Sequence, residues 1–434
     1  MTSTLFKHVR MIDPASNTDM IGECLIEHGK ISQISDQSGG ITPPIDAQII
    51  DGNAKILAPG LIDMRVQSCH PGAAQKETPL TLAQAAARGG VTSIVCLPNT
   101  NPVLDDPEML KSQCRMLAGL SNPVHAIKVY AYGAATSGLN GESMAELGLL
   151  SDAGAVGFTN ATHSISNSLT MRRVLSYAAM LKQPVIQHAE DPVLAAGGEM
   201  HEGEHSMRLG LKGIPDAAEE IIIARDLALL RMTGGHYHVA HISTAKGIAL
   251  IRAAKAEGLH VTCDTAPPYA LLNDIAVRDY DSRFRLSPPL RHENDRLAVL
   301  DGLADGTIDA VASDHSPQDR DVKSLPFGLA EPGYSGIETL LALMLTLYHG
   351  GHLSLMQVLA LTSYHPAQIL GLSGGQITVG APADLALIDI DRSWQIRGQT
   401  FASLSGSTPF EGAPVQGRVL GTWVDGTRVF DPKS

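Results

Sequence analysis

The chain has 434 residues, of which 44% are hydrophobic and 18% are charged, and this composition predicts a globular protein with one large and one smaller domain. The net charge of −13 and an aromatic content of 4% argue against a nucleic-acid-binding surface. We expect neither a signal peptide nor a membrane span, because no apolar run reaches the ~20 residues that a span needs.

The first 57 residues predict short β-strands with turns between them. The strand-like runs are TLFKHVRMI, GECLIEHGKISQIS and AQIIDGNAKILAPG. The C-terminal runs GQITVGAPADLALIDI and GRVLGTWVDGTRVF have the same pattern, and the turn Asp425-Gly426-Thr427 indicates a hairpin. We therefore expect residues 1–57 and 375–434 to form one small β-sandwich domain.

Residues 58–374 alternate strand-like and helical segments. The strand-like runs include TSIVCLPN, AIKVYAYGA, GAVGFTN, QPVIQHAED, HYHVAHIS, HVTCDTAP and DAVASDHS. Segments such as TAKGIALIRAAKAEGL carry apolar residues at helical spacing and end at Gly258. Repeated units of this kind predict a parallel sheet with outer helices, and about eight of them predict a (β/α)8 barrel.

Polar residues close several of the predicted strands. They are Asp63, Arg65, Gln67, Asn99, Asn160, His188, His238, His241, Asp264, Asp314 and His315. Since a barrel places its site at the C-terminal strand ends, we expect a functional cavity there. His238 and His315 should point away from it, because neighbouring strand residues face opposite sides.

The chain resembles the dihydroorotases of the amidohydrolase superfamily, in their larger, bacterial-type branch. The resemblance rests on APGLIDMRVQ, VCLPNTNPV, IQHAED, HVAHISTAKG, SPPLR, DGTIDAVASDHSPQ and GQITVGAPADLALID, which occur in the family's order along the whole chain. It implies a metal-assisted barrel, a β-sandwich built from both termini, and the interconversion of N-carbamoyl-L-aspartate and dihydroorotate in pyrimidine biosynthesis.

The resemblance implies metal ligands, and several of them are changed here. The family's first-strand His-x-His pair falls on Arg65 and Gln67, and its bridging carboxylate falls on Asn160. His188 and His241 match the second metal position, and Asp314 matches the catalytic aspartate, which is also a ligand. Zinc should therefore be weak or absent at the first site, although three ligands can hold one catalytic zinc ion.

The substrate-binding positions are also altered. Asn99 and Gly333 match the family, whereas Ser287 replaces an asparagine and Cys69 replaces the arginine that binds the substrate carboxylate. Further family histidines fall on Pro268, Tyr269 and Gln318. Arg65 is the residue available to bind the substrate carboxylate in place of the missing arginine. We expect Arg65, Gln67, Asn99, Asn160, His188, His241 and Asp314 to line one cavity.

Three functions compete at this point. The first is a dihydroorotase-family protein with an impaired or non-catalytic site that acts as a partner of aspartate transcarbamoylase. The second is an active dihydroorotase with a single-metal site. The third is another cyclic-amide hydrolase, such as a hydantoinase or allantoinase, but the carboxylated lysine of those relatives has no counterpart near Asn160. Without the resemblance, Arg65 and Gln67 would be ordinary strand-end residues, and His188 and His241 would be structural.

The chain is expected to be a cytoplasmic homo-oligomer without nucleic-acid or membrane partners. The odd number of scattered cysteines predicts free thiols in a reducing compartment. These cysteines are Cys24, Cys69, Cys96, Cys114 and Cys263.

Overall fold

The computed structural model describes residues 3–118 and 127–432, which form a mixed α/β fold. Residues 1–2, 119–126 and 433–434 lie outside the described part. They include the ends of the two predicted terminal segments and Ala126, the first residue of the run AIKVYAYGA. None of the described helices is long and apolar enough to cross a membrane.

The strands are numbered in chain order. They are β1 (Thr4–Asp13), β2 (Thr18–Glu27), β3 (Lys30–Ser35), β4 (Gln48–Asp51), β5 (Ile56–Pro59), β6 (Leu61–Val66), β7 (Val91–Cys96), β8 (Lys128–Ala131), β9 (Gly133–Ala134), β10 (Phe158–Thr159), β11 (Pro184–His188), β12 (Met200–His201), β13 (Gly213–Ile214), β14 (His236–Ala240), β15 (Val261–Thr265), β16 (Ala310–Val311), β17 (Leu385–Gln395), β18 (Pro414–Val424) and β19 (Thr427–Phe430).

The α-helices lie between the strands and after β16. They are α1 (Pro79–Arg88), α2 (Pro107–Ala118), α3 (Leu147–Asp152), α4 (Ser168–Leu181), α5 (Glu204–Leu209), α6 (Ala217–Thr233), α7 (Ala245–Ala256), α8 (Pro267–Leu271), α9 (Glu293–Ala304), α10 (Arg320–Lys323), α11 (Leu340–His349), α12 (Leu355–Leu359) and α13 (His365–Leu370). A π-helical turn, Ala360–Tyr364, joins α12 to α13. Short 3-10 turns occupy Ser137–Leu139, Asp274–Asp279, Ser282–Phe284 and Gly398–Thr400.

The N-terminal and C-terminal strands share one eight-stranded sheet in the order β19-β18-β17-β5-β1-β2-β3, with β4 also paired to β1. The contact between the two ends of the chain is the antiparallel pair β5–β17, in which Leu57 faces Leu387. Phe6 packs edge-on against Trp423, with ring centroids 4.9 Å apart, and both side chains are fully buried. The domain boundaries at residues 57 and 375 remain a prediction.

The predicted hairpin at the C-terminus is confirmed. Val424 pairs with Thr427, so that Asp425 and Gly426 form a two-residue loop with φ of 44° and 72°. Both residues lie in the left-handed region that such a loop requires, which explains the Asp-Gly pair.

The middle of the chain forms two parallel sheets, with helices between most of the successive strands. The strand orders are β6-β7-β8 and β16-β15-β14-β11-β10-β9. Single contacts connect the two sheets: Val156 N donates to Ala131 O at 3.1 Å, and a parallel bridge joins Val66 to His315. β10 and β16 have only two residues each, so the ladder is interrupted there.

The predicted helix in TAKGIALIRAAKAEGL corresponds to α7. Thr244 caps its N-terminus by accepting a hydrogen bond from Gly247 N, and the chain leaves the helix just before Gly258, whose φ is 82°. The buried residues of α7 are Gly247, Ile248, Ile251 and Ala254, and the helix contacts β15 of the parallel sheet as well as α6 and α9. This amphipathic spacing explains why the helix covers the sheet.

The hairpin loop also sets a stability prediction. A Cβ atom at Gly426 would lie 2.8 Å from Ile26 Cγ2, whereas a Cβ at Gly380, where φ is 90°, would meet nothing within 4 Å. We expect Gly426→Ala to lower the free energy of unfolding by about 2–3 kcal/mol, and the control Gly380→Ala to lower it by about 1 kcal/mol. Urea denaturation measures both values. Equal losses would show that the Cβ contact has no energetic effect.

Candidate active site

A buried ion pair lies at the end of β6. Arg65 Nε donates to Asp314 Oδ1 at 3.0 Å, and Arg65 Nη2 donates to Ala161 O at 3.2 Å. Arg65 is only 2% exposed, and its Nη1 has no hydrogen-bond partner among the described residues. The ion pair therefore connects the first parallel strand with the segment that follows β16.

Asp63 fixes the same two segments through their backbones. Its Oδ1 accepts hydrogen bonds from Arg65 N at 3.3 Å and from Ser313 N at 3.1 Å. Complete burial raises the pKa of Asp63 to about 6, against the lowering effect of these bonds. Asp63 is thus a positioning residue beneath the ion pair.

A hydrogen-bonded chain of side chains continues from Asp314. His241 Nδ1 lies 3.2 Å from Asp314 Oδ2, and His241 Nε2 lies 2.7 Å from His188 Nδ1. His188 Nε2 is 3.6 Å from Glu190 Oε1. Both ring nitrogens of His241 are therefore hydrogen-bonded to neighbouring side chains.

The charges in this chain follow from burial and from the guanidinium group. Burial alone would raise the pKa of Asp314, but the attraction of His241 and Arg65 lowers it to about 2. Burial and the nearby Arg65 lower the pKa of His241 to about 4. At neutral pH we therefore describe Asp314 as ionised, His241 as neutral and Arg65 as the balancing cation.

The backbone at both residues adopts an unusual conformation. His241 has φ of 37° and Asp314 has φ of 50°, in the left-handed region that few residues other than glycine adopt. Asp264 holds His241 by accepting from its backbone N–H at 2.8 Å. Such conformations persist where surrounding contacts fix them, and they cluster at functional sites.

A cavity of about 370 Å³ opens above the ion pair. Five of the seven residues expected to converge line it, together with the predicted substrate-binding residues Ser287 and Gly333. These five are Arg65, Gln67, Asn99, His241 and Asp314. A Cβ atom at Gly333, where φ is 126°, would lie 2.4 Å from Ser316 O, so the close approach of the two segments requires glycine.

Asn160 and His188 are not among the residues that line this cavity. Asn160 Oδ1 accepts from Thr136 Oγ1 at 3.0 Å and from Thr136 N at 3.2 Å, so the amide is turned toward that loop. His188 is buried behind His241. The expectation that all seven side chains line one cavity is therefore wrong for these two residues. Asn160 is held by Thr136, and His188 lies next to the cavity, bonded to His241 at 2.7 Å.

The other singled-out residues have structural contacts. His238 is fully buried and bonds Thr262 and Asp264, and His315 bonds Glu77 at 3.3 Å. Both agree with their predicted structural roles. Cys69 is half-buried, and burial raises the pKa of its thiol to about 12, so it carries no charge for a substrate carboxylate.

The zinc ion that the family resemblance implies does not fit the residues present. Among the described histidines, cysteines and acidic residues, no group of three or more is arranged to hold a metal. His188, His241 and Asp314 are adjacent, but they bond one another in a line, and Arg65 places a permanent cation beside them. In this arrangement Asp314 forms an ion pair with Arg65 instead of binding a metal ion.

Sequence reasoning missed several residues of the cavity. Lys76, Thr162, His163, Glu331 and Tyr334 also line it. All five lie on loops rather than at strand ends, so strand periodicity carries no signal for them. Glu190 does not line the cavity, but it contacts His188 and was detectable, since it lies two residues after the end of β11 in IQHAED.

Comparisons with known proteins agree on one family. A family described as dihydro-orotase-like matches residues 54–247. A dihydroorotase of Anaplasma phagocytophilum (strain HZ) is 43% identical over 429 residues, which cover 98% of this chain and 94% of the relative. A dihydroorotase of Geobacter sp. (strain M21) is 42% identical over 426 residues, covering 98% of this chain and 99% of the relative.

The fold is similar to solved structures of related hydrolases. L-hydantoinase (dihydropyrimidinase) from Arthrobacter aurescens superimposes with a TM-score of 0.88 at 25% identity, over 99% of this chain and 96% of that one. Dihydropyrimidinase from Brevibacillus agri NCHU1002 gives a TM-score of 0.85 at 23% identity, over 100% and 96% of the two chains. This second likeness concerns the fold alone.

The buried ion pair generates a prediction on stability. We expect Arg65→Met to lower the free energy of unfolding by about 3–5 kcal/mol, because it leaves a buried carboxylate without its cation. The double variant Arg65→Met/Asp314→Asn should lose less than Arg65→Met alone, since neither charge remains.

Urea denaturation at pH 7 measures both variants. Arg252→Met is the matched control, because Arg252 pairs with Asp305 at the surface, where both side chains are more than 40% exposed. Its loss should stay below about 1 kcal/mol. Equal losses for Arg65→Met and Arg252→Met would contradict the prediction.

Proposed function

The chain belongs to the dihydroorotase family, and we propose that it serves de novo pyrimidine biosynthesis with a site that is impaired or non-catalytic for the interconversion of N-carbamoyl-L-aspartate and (S)-dihydroorotate. The observation that carries this proposal is the 3.0 Å ion pair between Arg65 and Asp314. A proton-transfer group works best when its pKa is near the working pH. With a pKa of about 2, Asp314 is a weak base in this arrangement.

The loss of activity also follows from the metal ligands. The reaction requires an activated water and a polarised carbonyl, which a bound metal ion supplies in this family. A guanidinium group carries the positive charge but has no coordination position for water. We propose that zinc is weak or absent at the position of Arg65 and Gln67, and that Asn160 does not act as a bridging ligand.

Ligand binding is retained in this proposal. Arg65 and Lys76 both line the cavity and supply two cationic side chains there, beside Asn99, Ser287 and Gly333. These groups match a substrate that carries carboxylates, and they take the place of the arginine that is Cys69 here. The site would thus still bind dihydroorotate or carbamoyl aspartate, although it converts them slowly or not at all.

We propose that the two parallel sheets close into one (β/α)8 barrel at residues 58–374, supported by the bridge between Val66 and His315 and by the bond from Val156 N to Ala131 O. We also propose a β-sandwich domain from residues 1–57 and 375–434, supported by the shared eight-stranded sheet.

An active single-metal dihydroorotase is the second candidate function. It is favoured by the proximity of His188, His241 and Asp314, which would need to break their mutual hydrogen bonds to bind one ion. A hydantoinase function is supported less, because the identity to the dihydroorotases is much higher than the identity to the hydantoinase.

Turnover and zinc content separate the first two candidates. We expect purified protein to contain less than about 0.1 zinc ion per chain. After zinc supplementation, its turnover number for dihydroorotate should be at most about 0.01 per second. Elemental analysis and a steady-state assay measure these quantities, with Asp314→Ala as the background control. A turnover number of about 1 per second or more that disappears in Asp314→Ala would reject the impaired site.

A gain-of-ligand variant tests the cause of the loss. Arg65→His/Gln67→His/Asn160→Asp restores the family's ligand types, so it should retain more zinc after dialysis than the parent chain. The partial variant Asn160→Asp keeps the guanidinium group and should retain no more than the parent chain. Similar zinc contents in all three proteins would mean that these positions do not limit metal binding.

The proposed partner is aspartate transcarbamoylase, with this chain acting as a homo-oligomer. We expect the two proteins from the same organism to co-elute in size-exclusion chromatography with light scattering at about 10 µM each. Asp314→Ala should co-elute equally well, because the proposed assembly does not use the cavity. Separate elution of the two wild-type proteins would reject the partnership at that concentration.

A further inference from the structure

A second, larger cavity lies away from Asp314, between α1 and the C-terminal strands. Its volume is about 660 Å³, within the ~300–1,000 Å³ of small-molecule sites. Three arginines line it, namely Arg88, Arg392 and Arg418, and we call it the arginine cavity. Three cationic side chains are thus concentrated around one cavity, although the chain as a whole has a net charge of −13.

An aromatic ring is held in place inside the arginine cavity. The guanidinium carbon of Arg418 lies 3.7 Å from the centroid of the Trp394 ring. Trp394 Nε1 donates to Gly417 O at 2.8 Å, so the indole is fixed through its edge as well as through one face. The half-buried rings of Phe401 and Phe430 also line the cavity and supply an apolar surface.

The opposite wall is fixed by Glu338. Its Oε1 accepts from Ala402 N at 2.6 Å and from Ser403 N at 3.1 Å, and its Oε2 lies 3.5 Å from Arg88 Nε. Arg88 Nη1 donates to Thr400 O at 3.1 Å. The loop and Arg88 are therefore positioned without a ligand, so the cavity is preformed.

The positive charge is only partly compensated. Glu338 pairs with Arg88, and Asp431 pairs with Arg428 at 2.7 Å. Within the described part of the chain, neither Arg392 nor Arg418 forms an ion pair. Burial, followed by the like charges of Arg88 and Arg392, lowers the pKa of Arg418, which indicates that an added anion would relieve repulsion.

We propose that the arginine cavity binds a nucleoside monophosphate, with the phosphate on Arg392 and Arg418 and the base against the aromatic lining. Guanidinium groups bind phosphate oxygens through paired hydrogen bonds, and two of them offset a dianion. The fixed indole and the two phenyl rings match a flat ring joined to that anion. The proposal is independent of any activity at Asp314.

Tryptophan fluorescence and calorimetry test this site. The chain has two tryptophans, and Trp423 on β18 is fully buried and does not line the cavity, so a ligand there should change the emission of Trp394. The probes are uridine 5′-monophosphate, adenosine 5′-monophosphate, ribose 5-phosphate and inorganic phosphate. We expect at least one of the two nucleotides to bind with a Kd of about 10–100 µM. Ribose 5-phosphate and inorganic phosphate, which have no base, should bind with a Kd at least about tenfold higher.

Substitutions locate the binding. Arg392→Gln and Arg418→Gln should each weaken nucleotide binding by about tenfold or more, and Arg392 is exposed, so its loss does not threaten folding. Arg252→Gln, on the surface of α7, is the matched control and should bind as wild type does. Trp394→Phe should lose the fluorescence change while calorimetry still detects binding.

The binding measurements can contradict the proposed nucleotide site in three ways. Absence of saturable binding of either nucleotide up to ~1 mM would overturn it, as would unchanged affinity in both arginine variants. Equal affinity for inorganic phosphate and for the nucleotides would overturn the assignment of the aromatic lining to a base.

Discussion

The structure of the candidate site depends on the buried ion pair between Arg65 and Asp314. A carboxylate in this position is costly to bury alone, and burial by itself raises its pKa. The guanidinium group offsets that cost, so Asp314 stays ionised and His241 stays neutral between Asp314 and His188. An ionised Asp314 accepts a hydrogen bond from His241 Nδ1, which leaves His241 Nε2 for His188. These bonds hold the side chains of the two residues whose backbone is in the left-handed region.

The ion pair supplies charge without coordination chemistry. A metal ion in this family both neutralises acidic ligands and activates water, and these are separable tasks. Arg65 can perform the first task, since it is a permanent cation beside Asp314, but it has no open coordination position. The ends of the parallel strands can therefore keep their packing and their cavity in the proposed impaired site.

Sequence patterns predicted the parts of the molecule that follow from repeated geometry. Parallel strands bring their C-terminal ends to one edge, so Arg65, His241 and Asp314 were expected together and are together. The patterns failed where a local hydrogen bond decides the orientation, as in the amide of Asn160 with Thr136. They also carried no signal for Lys76, because loop residues have no periodicity. The Asp-Gly hairpin was predictable, since only a few residue types tolerate its backbone angles.

The two cavities are joined by one loop, residues 400–404. On one side, Leu404 N donates to Glu77 Oε1 at 3.1 Å, and Glu77 also bonds His315, the neighbour of Asp314. On the other side, Ala402 N donates to Glu338, which pairs with Arg88 in the arginine cavity. Thr400, Phe401 and Ala402 line that cavity directly. A ligand that contacts these residues therefore contacts the loop that holds Glu77 and, through it, His315. The second cavity is thus linked to His315, the neighbour of Asp314, through this loop and its hydrogen bonds to Glu77 and Glu338.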